Sequence, residues 1–342
     1  MEDRERGFSL VELIIAMTVT LIITGAVFQL MSAGQTAFRR EPAMADRQLN
    51  IRMAMDLIGQ DLYQAGYGMP AFAQAFTDDL DGAGDGEGNP ILGSGGEQTD
   101  VLEIFRASDC PPLSVCPLNS EPSKSIQTME LFSSCYTLPA IVLMGNDTEW
   151  DLRWAKTPGG GAAAKKCSDS DTGGSKHGHA VFPPGQSPLN PTDSFTSWDN
   201  PPTYMMVGMA IRYRINIGPD NVPNLERSAF GGQDDLGGNS TWQIIARGIE
   251  DLQVQYENAT GWQEEPGSID CGAATGCTSP AQADYDRLVR RVRVRLSARV
   301  TESGRFAGES TSAVGTAVRG QLSTEIAPRA AATTLQMRDG TL

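Results

Sequence analysis

A single carboxylate, that of Glu12, lies in an otherwise uncharged apolar segment near the start of the chain. Residues 8–31 contain no Lys, Arg, Asp or Pro. At about 1.5 Å of rise per residue, a helix of this length spans a hydrocarbon layer of roughly 30 Å. An unpaired charge in such a layer is costly, so an ionisable side chain there normally has a function. Glu12 is therefore the first candidate functional residue.

Two simpler interpretations of this segment fit poorly. A secretory signal peptide has a positively charged leader, a shorter apolar region and a small-x-small cleavage site. Here residues 1–7 are nearly neutral, and nothing like Ala-x-Ala follows the apolar region. A plain anchor helix explains the length of the segment but leaves Glu12 unexplained.

The residues around Glu12 resemble a known processing signal. Residues 7–13, GFSLVEL, are similar to the class III signal of type IV pilins and of type II secretion pseudopilins. The resemblance implies that a prepilin peptidase cuts between Gly7 and Phe8 and methylates the new amine of Phe8. In an assembled bundle of helices, a buried carboxylate at Glu12 would pair with the terminal ammonium of a neighbouring subunit and set the register between them.

Other stretches resemble a narrower group, the PilW-type minor pilins. Residues 61–68, DLYQAGYG, are similar to their D-x-x-Q-A-G-Y segment, and residues 246–256, ARGIEDLQVQY, are similar to one of their strands. Residues 319–329 resemble their C-terminal strand but lack its usual Asn. The resemblance implies a low-abundance subunit that joins other minor pilins in a priming complex at the pilus tip.

The composition predicts a loop-rich β domain behind one long helix. The chain has 37 Gly and 20 Pro among 342 residues, with few helix-favouring runs after residue 65. We therefore expect an α+β fold, in which a long N-terminal helix packs on a mainly antiparallel sheet with large loops. The predicted parts are a leader (1–7), a pilin helix (8–66, membrane-spanning over 8–31 and amphipathic over 35–66) and a globular domain (67–342). The formal net charge of −15 disfavours a general nucleic-acid-binding role.

Eight segments have strand-like patterns: 101–105, 126–132, 140–144, 204–217, 242–246, 249–256, 288–300 and 318–326. The clearest is 288–300, where apolar residues alternate with a ladder of arginines at 291, 293, 295 and 299. One interpretation is a solvated face whose arginines pair with acids such as Glu250 or Glu257. The alternative is a docking strip for an acidic subunit or a polyanion.

Six cysteines, at positions 110, 116, 135, 167, 271 and 277, all follow the apolar segment. The export that the resemblance implies would place them in an oxidising compartment, which favours disulfides. Pairing of Cys110 with Cys116 and of Cys271 with Cys277 is our first expectation, because each pair lies close in sequence. Zinc would require CxxC spacing, and the cysteines lack it.

An acidic, Gly-rich stretch at residues 77–89 is the candidate metal site. Asp79, Asp81, Asp85 and Glu87 could bind Ca²⁺ on a flexible backbone. The EF-hand pattern is not met, since Ala83 occupies one ligand position and no Glu stands at the twelfth place. An exposed acidic turn without metal is the alternative. Calcium is the one cofactor that the sequence suggests.

Residues 156–202 are rich in Gly, Pro, Ser and Lys, and predict one long loop. His177 and His179 lie in it, but no third metal ligand stands near them in sequence. No Ser/His/Asp or Cys/His set and no phosphate-binding loop stands out. The sequence therefore predicts a protein that is not an enzyme.

The function that these observations predict is that of a minor pilin, which primes pilus assembly at or near the tip. The implied partners are other pilins and minor pilins, the prepilin peptidase and the inner-membrane assembly platform, with nucleic acid unlikely as a ligand. The implied location is the inner membrane before assembly and then the pilus, with a periplasmic or extracellular globular domain. A minor pseudopilin of the GspJ type is one alternative. A tip adhesin or ligand-binding module that uses the 156–202 loop is another.

Overall fold

The structure, a computed structural model, describes residues 9–69, 74–77, 98–116, 125–132, 135–136, 138–146, 150–157, 178–182, 202–220, 222–230, 242–266, 288–299 and 319–330. A long helix, α1 (Leu10–Tyr63), comes first. The strands follow in the order β1 (Phe76–Thr77), β2 (Leu102–Ala107), β3 (Leu113–Ser114), β4 (Ser125–Thr128), β5 (Ala140–Gly145), β6 (Trp150–Ala155), β7 (Gly178–Val181), β8 (Tyr204–Ile217), β9 (Pro223–Phe230), β10 (Gln243–Arg247), β11 (Ile249–Asn258), β12 (Gly261–Gln263), β13 (Arg291–Arg299) and β14 (Arg319–Ile326).

The second half of helix α1 buries one apolar face against the sheets. Ile51, Ala54, Ile58 and Leu62 recur at helical spacing and are buried against the sheets. The helical backbone is continuous through position 42, where a proline stands. It ends shortly before Gly66, whose φ of +72° is a conformation that favours glycine after a helix.

The strands form two main antiparallel sheets, and the fold is α+β as predicted. The larger sheet has eight strands, with β8 at its centre because β8 pairs with β2, β3, β5 and β9. The smaller sheet has the order β12-β11-β13-β14. Strands β4 and β7 form a separate pair. Each of the eight predicted strand segments overlaps an observed strand.

The two main sheets meet at Gly248, between β10 and β11. Its N–H donates to the carbonyl of Pro223 in the larger sheet at 2.7 Å, and its carbonyl accepts from the N–H of Arg299 in the smaller sheet at 2.8 Å. Its φ is +78°, which an L side chain rarely adopts. This glycine therefore lets the chain pass directly from one sheet to the other.

One hydrophobic core lies between α1 and both sheets. Strand β13 contributes the predicted alternation, with every second residue fully buried: Val292, Val294, Leu296 and Ala298. From α1 the core receives Ile51, Ala54, Met55, Ile58 and Leu62, and Ala65 joins it just after the helix ends. Because one apolar stripe of the helix fills the angle between two sheets, the helix and the sheets are expected to be stable only together.

A second hydrophobic core lies among β3 to β7, the strands that stand between β2 and β8 in sequence. We call strands β3 to β7 the inserted lobe. Its members include Leu113, Ile126, Tyr136, Val142 and Phe182. The prediction of a single loop over 156–202 is wrong at residues 178–181, because β7 pairs there with β4. Short strands such as β7 carry too few residues for a periodic pattern to be visible in sequence.

The predicted pairing of Cys110 with Cys116 is also wrong. Cys110 is bonded to Cys135, with a Cα–Cα distance of 5.8 Å. The chain after Cys110 runs extended through β3, and extended residues advance by about 3.3 Å each, which carries Cys116 out of disulfide range. Cys116 is disulfide-bonded too. Cys167, Cys271 and Cys277 lie outside the described residues, so the pairing of Cys271 with Cys277 stays a prediction.

Candidate functional site: the N-terminal helix and its anchor

Glu12 lies in the first turn of α1, one turn from the start of the described chain. Ser9 has the extended backbone of a helix N-cap, with φ −73° and ψ 140°, and its carbonyl accepts from the N–H of Leu13 at 3.2 Å. The side chain of Glu12 is exposed in the isolated molecule. A carboxylate in the first turn is favoured by the helix dipole and remains available to an external cation. Gly7 and Phe8 lie outside the described residues, so cleavage between them stays a prediction.

The helix after Glu12 is long and apolar enough to cross a membrane. The span Leu10–Ser32 has 23 residues and a mean hydropathy of 2.3, and none of it is buried inside the molecule. Its threonine hydroxyls donate to carbonyls in the preceding turn, as for Thr20 to Ala16 at 2.7 Å and Thr24 to Thr20 at 2.7 Å. The polar groups of these side chains are thereby satisfied within the helix, as a hydrocarbon environment requires.

The other end of α1 is fixed to the larger sheet by a buried polar cluster. The carboxylate of Asp61 accepts a short hydrogen bond from the hydroxyl of Tyr213 on β8. It also accepts from Arg227 on β9, at 2.8 Å from Nε and 3.2 Å from Nη2. Tyr213 and Arg227 are directly opposite each other in the β8–β9 register. We call Asp61, Tyr213 and Arg227 the anchor cluster.

The electrostatics of the anchor cluster favour a neutral tyrosine and charged partners. Burial raises the pKa of Tyr213, and the negative charge of Asp61 and its hydrogen bond raise it further. Burial lowers the pKa of Arg227, but the hydrogen bond and charge of Asp61 outweigh this effect and the net pKa is raised. The cluster thus holds one ion pair and one neutral hydroxyl, an arrangement that satisfies a buried carboxylate.

Backbone hydrogen bonds complete the attachment immediately after the anchor cluster. The N–H of Gly66 donates to the carbonyl of Phe105 on β2, and the N–H of Ala107 donates to the carbonyl of Tyr67, both at 2.8 Å. The amide oxygen of Gln64 accepts from Nη1 of Arg106 at 2.7 Å. Every lettered residue of the D-x-x-Q-A-G-Y segment therefore has a place in joining helix to sheet, apart from Ala65, which belongs to the core.

The sequence pointed to the residues that the helix contributes to this attachment, but not to those that the sheet contributes. Asp61 and Gln64 belong to the stretch singled out by resemblance, whereas Tyr213 and Arg227 carried no signal of their own. The spacing within β8 could have indicated that Tyr213 faces the core, since it alternates with Arg212 and Arg214. Nothing in the sequence could have indicated that it meets Asp61.

Two arginines of the ladder on β13, Arg291 and Arg293, are paired with acids of neighbouring strands. Arg291 forms hydrogen bonds to Glu257 on β11, with Nη2 to Oε1 at 2.7 Å, and Arg293 donates to Glu325 on β14 at 2.7 and 2.9 Å. The guanidinium of Arg293 also stacks over Trp262 at 4.0 Å. The hydrogen bond from Arg291 is the main cause that lowers the pKa of Glu257. At these positions the structure favours the paired, solvated face over a docking strip.

The metal-site prediction is not tested by the described chain. Asp79, Asp81, Asp85 and Glu87 lie outside the described residues, as does His177. His179 lies in β7 rather than in a loop. Across the described ranges, no group of three or more His, Cys, Asp or Glu side chains could hold a metal ion.

A family model matches the N-terminal part of the chain. The family model described as "Prokaryotic N-terminal methylation motif" matches residues 3–28, a stretch that includes Gly7, Phe8 and Glu12. No curated protein matches the chain. The matched motif covers the predicted processing site and most of the apolar span. Together, the motif and the exposed apolar helix that follows it support a type IV pilin-like or pseudopilin protein.

Proposed function

We propose that this chain is a minor pilin of a type IV pilus, which helps to prime pilus assembly and lies at or near the pilus tip. The observation that carries the proposal is the apolar span Leu10–Ser32, which no described part of the molecule covers and which contains a single carboxylate. Such a helix is stable in lipid before assembly and among other helices afterwards. It is not an enzyme in this proposal, and it requires no cofactor for assembly.

Glu12 has the central role in this proposal. After cleavage at Gly7, the new amine of Phe8 on one subunit and the Glu12 carboxylate of its neighbour neutralise each other in an apolar bundle. An isolated charge there would be costly, so only the axial offset that brings both groups together is favoured. The pair thereby recruits the subunit and sets its register.

The size of the globular part supports a place at the tip. In addition to the core that holds α1, the chain has the second core of the inserted lobe, which extends the larger sheet through β5 and β6 and lies near the Cys110–Cys135 disulfide. A bulky subunit disturbs close helical packing less at an end than along a shaft. The resemblances of residues 61–68 and 246–256 to PilW-type minor pilins point the same way. The proposed partners are other minor pilins, the prepilin peptidase and the inner-membrane assembly platform.

The test replaces Glu12 by Ala or by Gln and measures membrane insertion and filament incorporation separately. We expect both variants to stay in the carbonate-resistant membrane fraction and to be cleaved normally, but to be depleted from sheared filaments. Thr20→Ala, a change on the same span whose hydroxyl bonds only within the helix, is the matched control and should be incorporated. Parental amounts of Glu12→Ala in sheared filaments would overturn the proposed role.

A minor pseudopilin of a type II secretion system is the related alternative, since the matched motif does not separate the two classes. Deletion of the coding region separates them by phenotype. Loss of surface filaments with normal protein secretion supports the pilus, and loss of secretion with normal filaments supports the pseudopilus.

A tip adhesin or ligand-binding module is favoured by one observation, the separate core of the inserted lobe. Deletion of all of 156–202 would remove β7 and destabilise that core. Replacing residues 183–201 by a Gly/Ser linker leaves β7 and all six cysteines in place and is the sharper test. Retained piliation with lost adhesion supports the adhesin, whereas lost piliation supports the priming role.

A further inference from the structure

Helix α1 is held to the globular domain by two kinds of contact that resist different movements. Along most of its second half, the side chains that reach the core are apolar, and Gly59 lies against Ile326 of β14. Apolar burial is non-directional, so it opposes separation of the helix from the sheets more than it opposes sliding along the helix axis. Hydrogen bonds depend steeply on distance and angle, so they oppose sliding.

Among the contacts that the structure describes, the buried hydrogen bonds and ion pairs of the helix lie at its C-terminal end. There the anchor cluster and the backbone bonds of Gly66 and Tyr67 attach residues 61–67 to β2, β8 and β9. These are neighbouring strands of one sheet, and β8 is paired on both sides at Tyr213, with Leu102 and with Arg227. Closer to the membrane, Asn50 donates to the carbonyl of Arg247 at 3.3 Å in an exposed position, a weaker restraint.

From this arrangement we propose that Asp61, Tyr213 and Arg227 are an axial stop, which fixes the helix lengthwise and transmits tension from the membrane-spanning segment into the larger sheet. A pull on the N-terminal end of α1 shifts Asp61 along the helix axis, away from the hydroxyl of Tyr213 and the guanidinium of Arg227. The shift would leave the buried carboxylate of Asp61 without its hydrogen-bond donors, so the first step of sliding is opposed at this point. The biological need for such a stop rests on the proposed filament function.

A second buried ion pair on the same sheet provides a matched control. Arg212 on β8 donates from Nε to Glu103 on β2 at 2.7 Å, and both side chains are more than nine-tenths buried. Arg212 is adjacent to Tyr213 and therefore points to the opposite face of the sheet, away from α1. Glu103→Gln should therefore disturb the sheet much as Asp61→Asn does, without touching the helix attachment.

The experiment applies constant force to single molecules of the full chain in detergent micelles. One handle is joined to the N-terminus, and the other to a peptide tag inserted between Ala259 and Thr260, in the exposed turn between β11 and β12. The start of β11 lies beside Asn50, and Tyr256 near its end contacts Phe76 beside the end of α1. The pull is thus directed along the helix.

We expect Asp61→Asn to raise the rate of helix release under force by about tenfold or more, as for loss of a hydrogen-bonded charge. Glu103→Gln should leave that rate close to the parental value, even where both variants lower the melting temperature alike. Tyr213→Phe keeps the aromatic packing and should raise the rate less, and it carries the test if Asp61→Asn does not fold. Equal effects of Asp61→Asn and Glu103→Gln, or no effect of Asp61→Asn and Tyr213→Phe, would overturn the proposal. The measurement requires no filament, so its failure would leave the assembly role of Glu12 standing.

Discussion

Arg299 donates its backbone N–H to the carbonyl of Gly248 at 2.8 Å, and this bond joins the last residue of β13 to the corner between the two main sheets. The same glycine donates its own N–H to Pro223 in the larger sheet. The corner thereby fixes how the smaller sheet lies against the larger one and gives α1 a two-sided groove.

Gly248→Ala should destabilise the globular domain by about 1–2 kcal/mol, because its φ of +78° is unfavourable for a residue with a Cβ. Chemical denaturation of the full chain measures the loss. Gly248→Asn is the control, since Asn tolerates positive φ better than Ala does. Equal losses of stability in the two variants would show that steric crowding of the side chain, rather than backbone conformation, determines the cost of substitution at Gly248.

Tyr136 should ionise only at strongly alkaline pH. Burial, together with the negative charge of Glu130, raises the pKa of Tyr136 to about 12, and its hydroxyl bonds to the carbonyl of Pro111. Its neutral form is favoured by folding, so the stability it contributes is present below pH 10, the ordinary tyrosine range, and is lost as the pH rises through about 12. Ultraviolet titration should show a late step that Tyr136→Phe removes. A Tyr136→Phe profile identical to the parent's would contradict this.

The disulfides should follow the fold rather than proximity in sequence. Peptide mapping without reduction should recover Cys110 joined to Cys135. If Cys271 and Cys277 pair as predicted from sequence, Cys116 is left with Cys167. Replacing both Cys110 and Cys135 by Ser should cost about 3 kcal/mol of stability, since the bond spans 25 positions. A peptide that joins Cys110 to Cys116 would refute the pairing.

The exposed ion pairs on the arginine ladder should contribute little to the stability of the fold. Glu257→Gln is expected to lower stability by less than about 1 kcal/mol, because the paired side chains are partly exposed and screened by salt. Since folding lowers the pKa of Glu257 from its ordinary value of about 4.5, its contribution to stability is present above that value and is lost as the pH falls through the lower folded pKa. Melting temperatures at neutral and acid pH check this. A loss of several kcal/mol at neutral pH would point to a structural role beyond the ion pair.

Calcium binding by the acidic stretch stays a prediction from the sequence. If Asp79, Asp81, Asp85 and Glu87 hold the ion, added Ca²⁺ should raise the melting temperature of the parent by mass action. The Asp81→Ala/Asp85→Ala variant should lose that response. Mg²⁺ at the same ionic strength is the control. A parent that does not respond to Ca²⁺ would end the metal hypothesis.

Structural features that depend on residues close together in the chain could be predicted directly from the sequence. The apolar span with Glu12, strand β8 over its full length and the alternation along β13 all follow from local periodicity, which burial imposes on neighbouring residues. Strand β9 was not predicted, because its polar and charged residues break the alternation of apolar and polar positions that indicates a strand. Glu226 and Arg227 are buried or half-buried there only because they meet charged partners, Arg214 and Asp61.

The sequence by itself determined the N-terminal methylation motif, an apolar helix long enough to cross a membrane and eight of the described strands. Only the tertiary structure decided which side chains complete the anchor of that helix, where the two sheets join and which cysteine bonds to Cys110. Tyr213 and Arg227 lie 152 and 166 positions from Asp61 in the chain. Local propensity carries no information across such separations, because the contact exists only after α1, β8 and β9 have packed into one core.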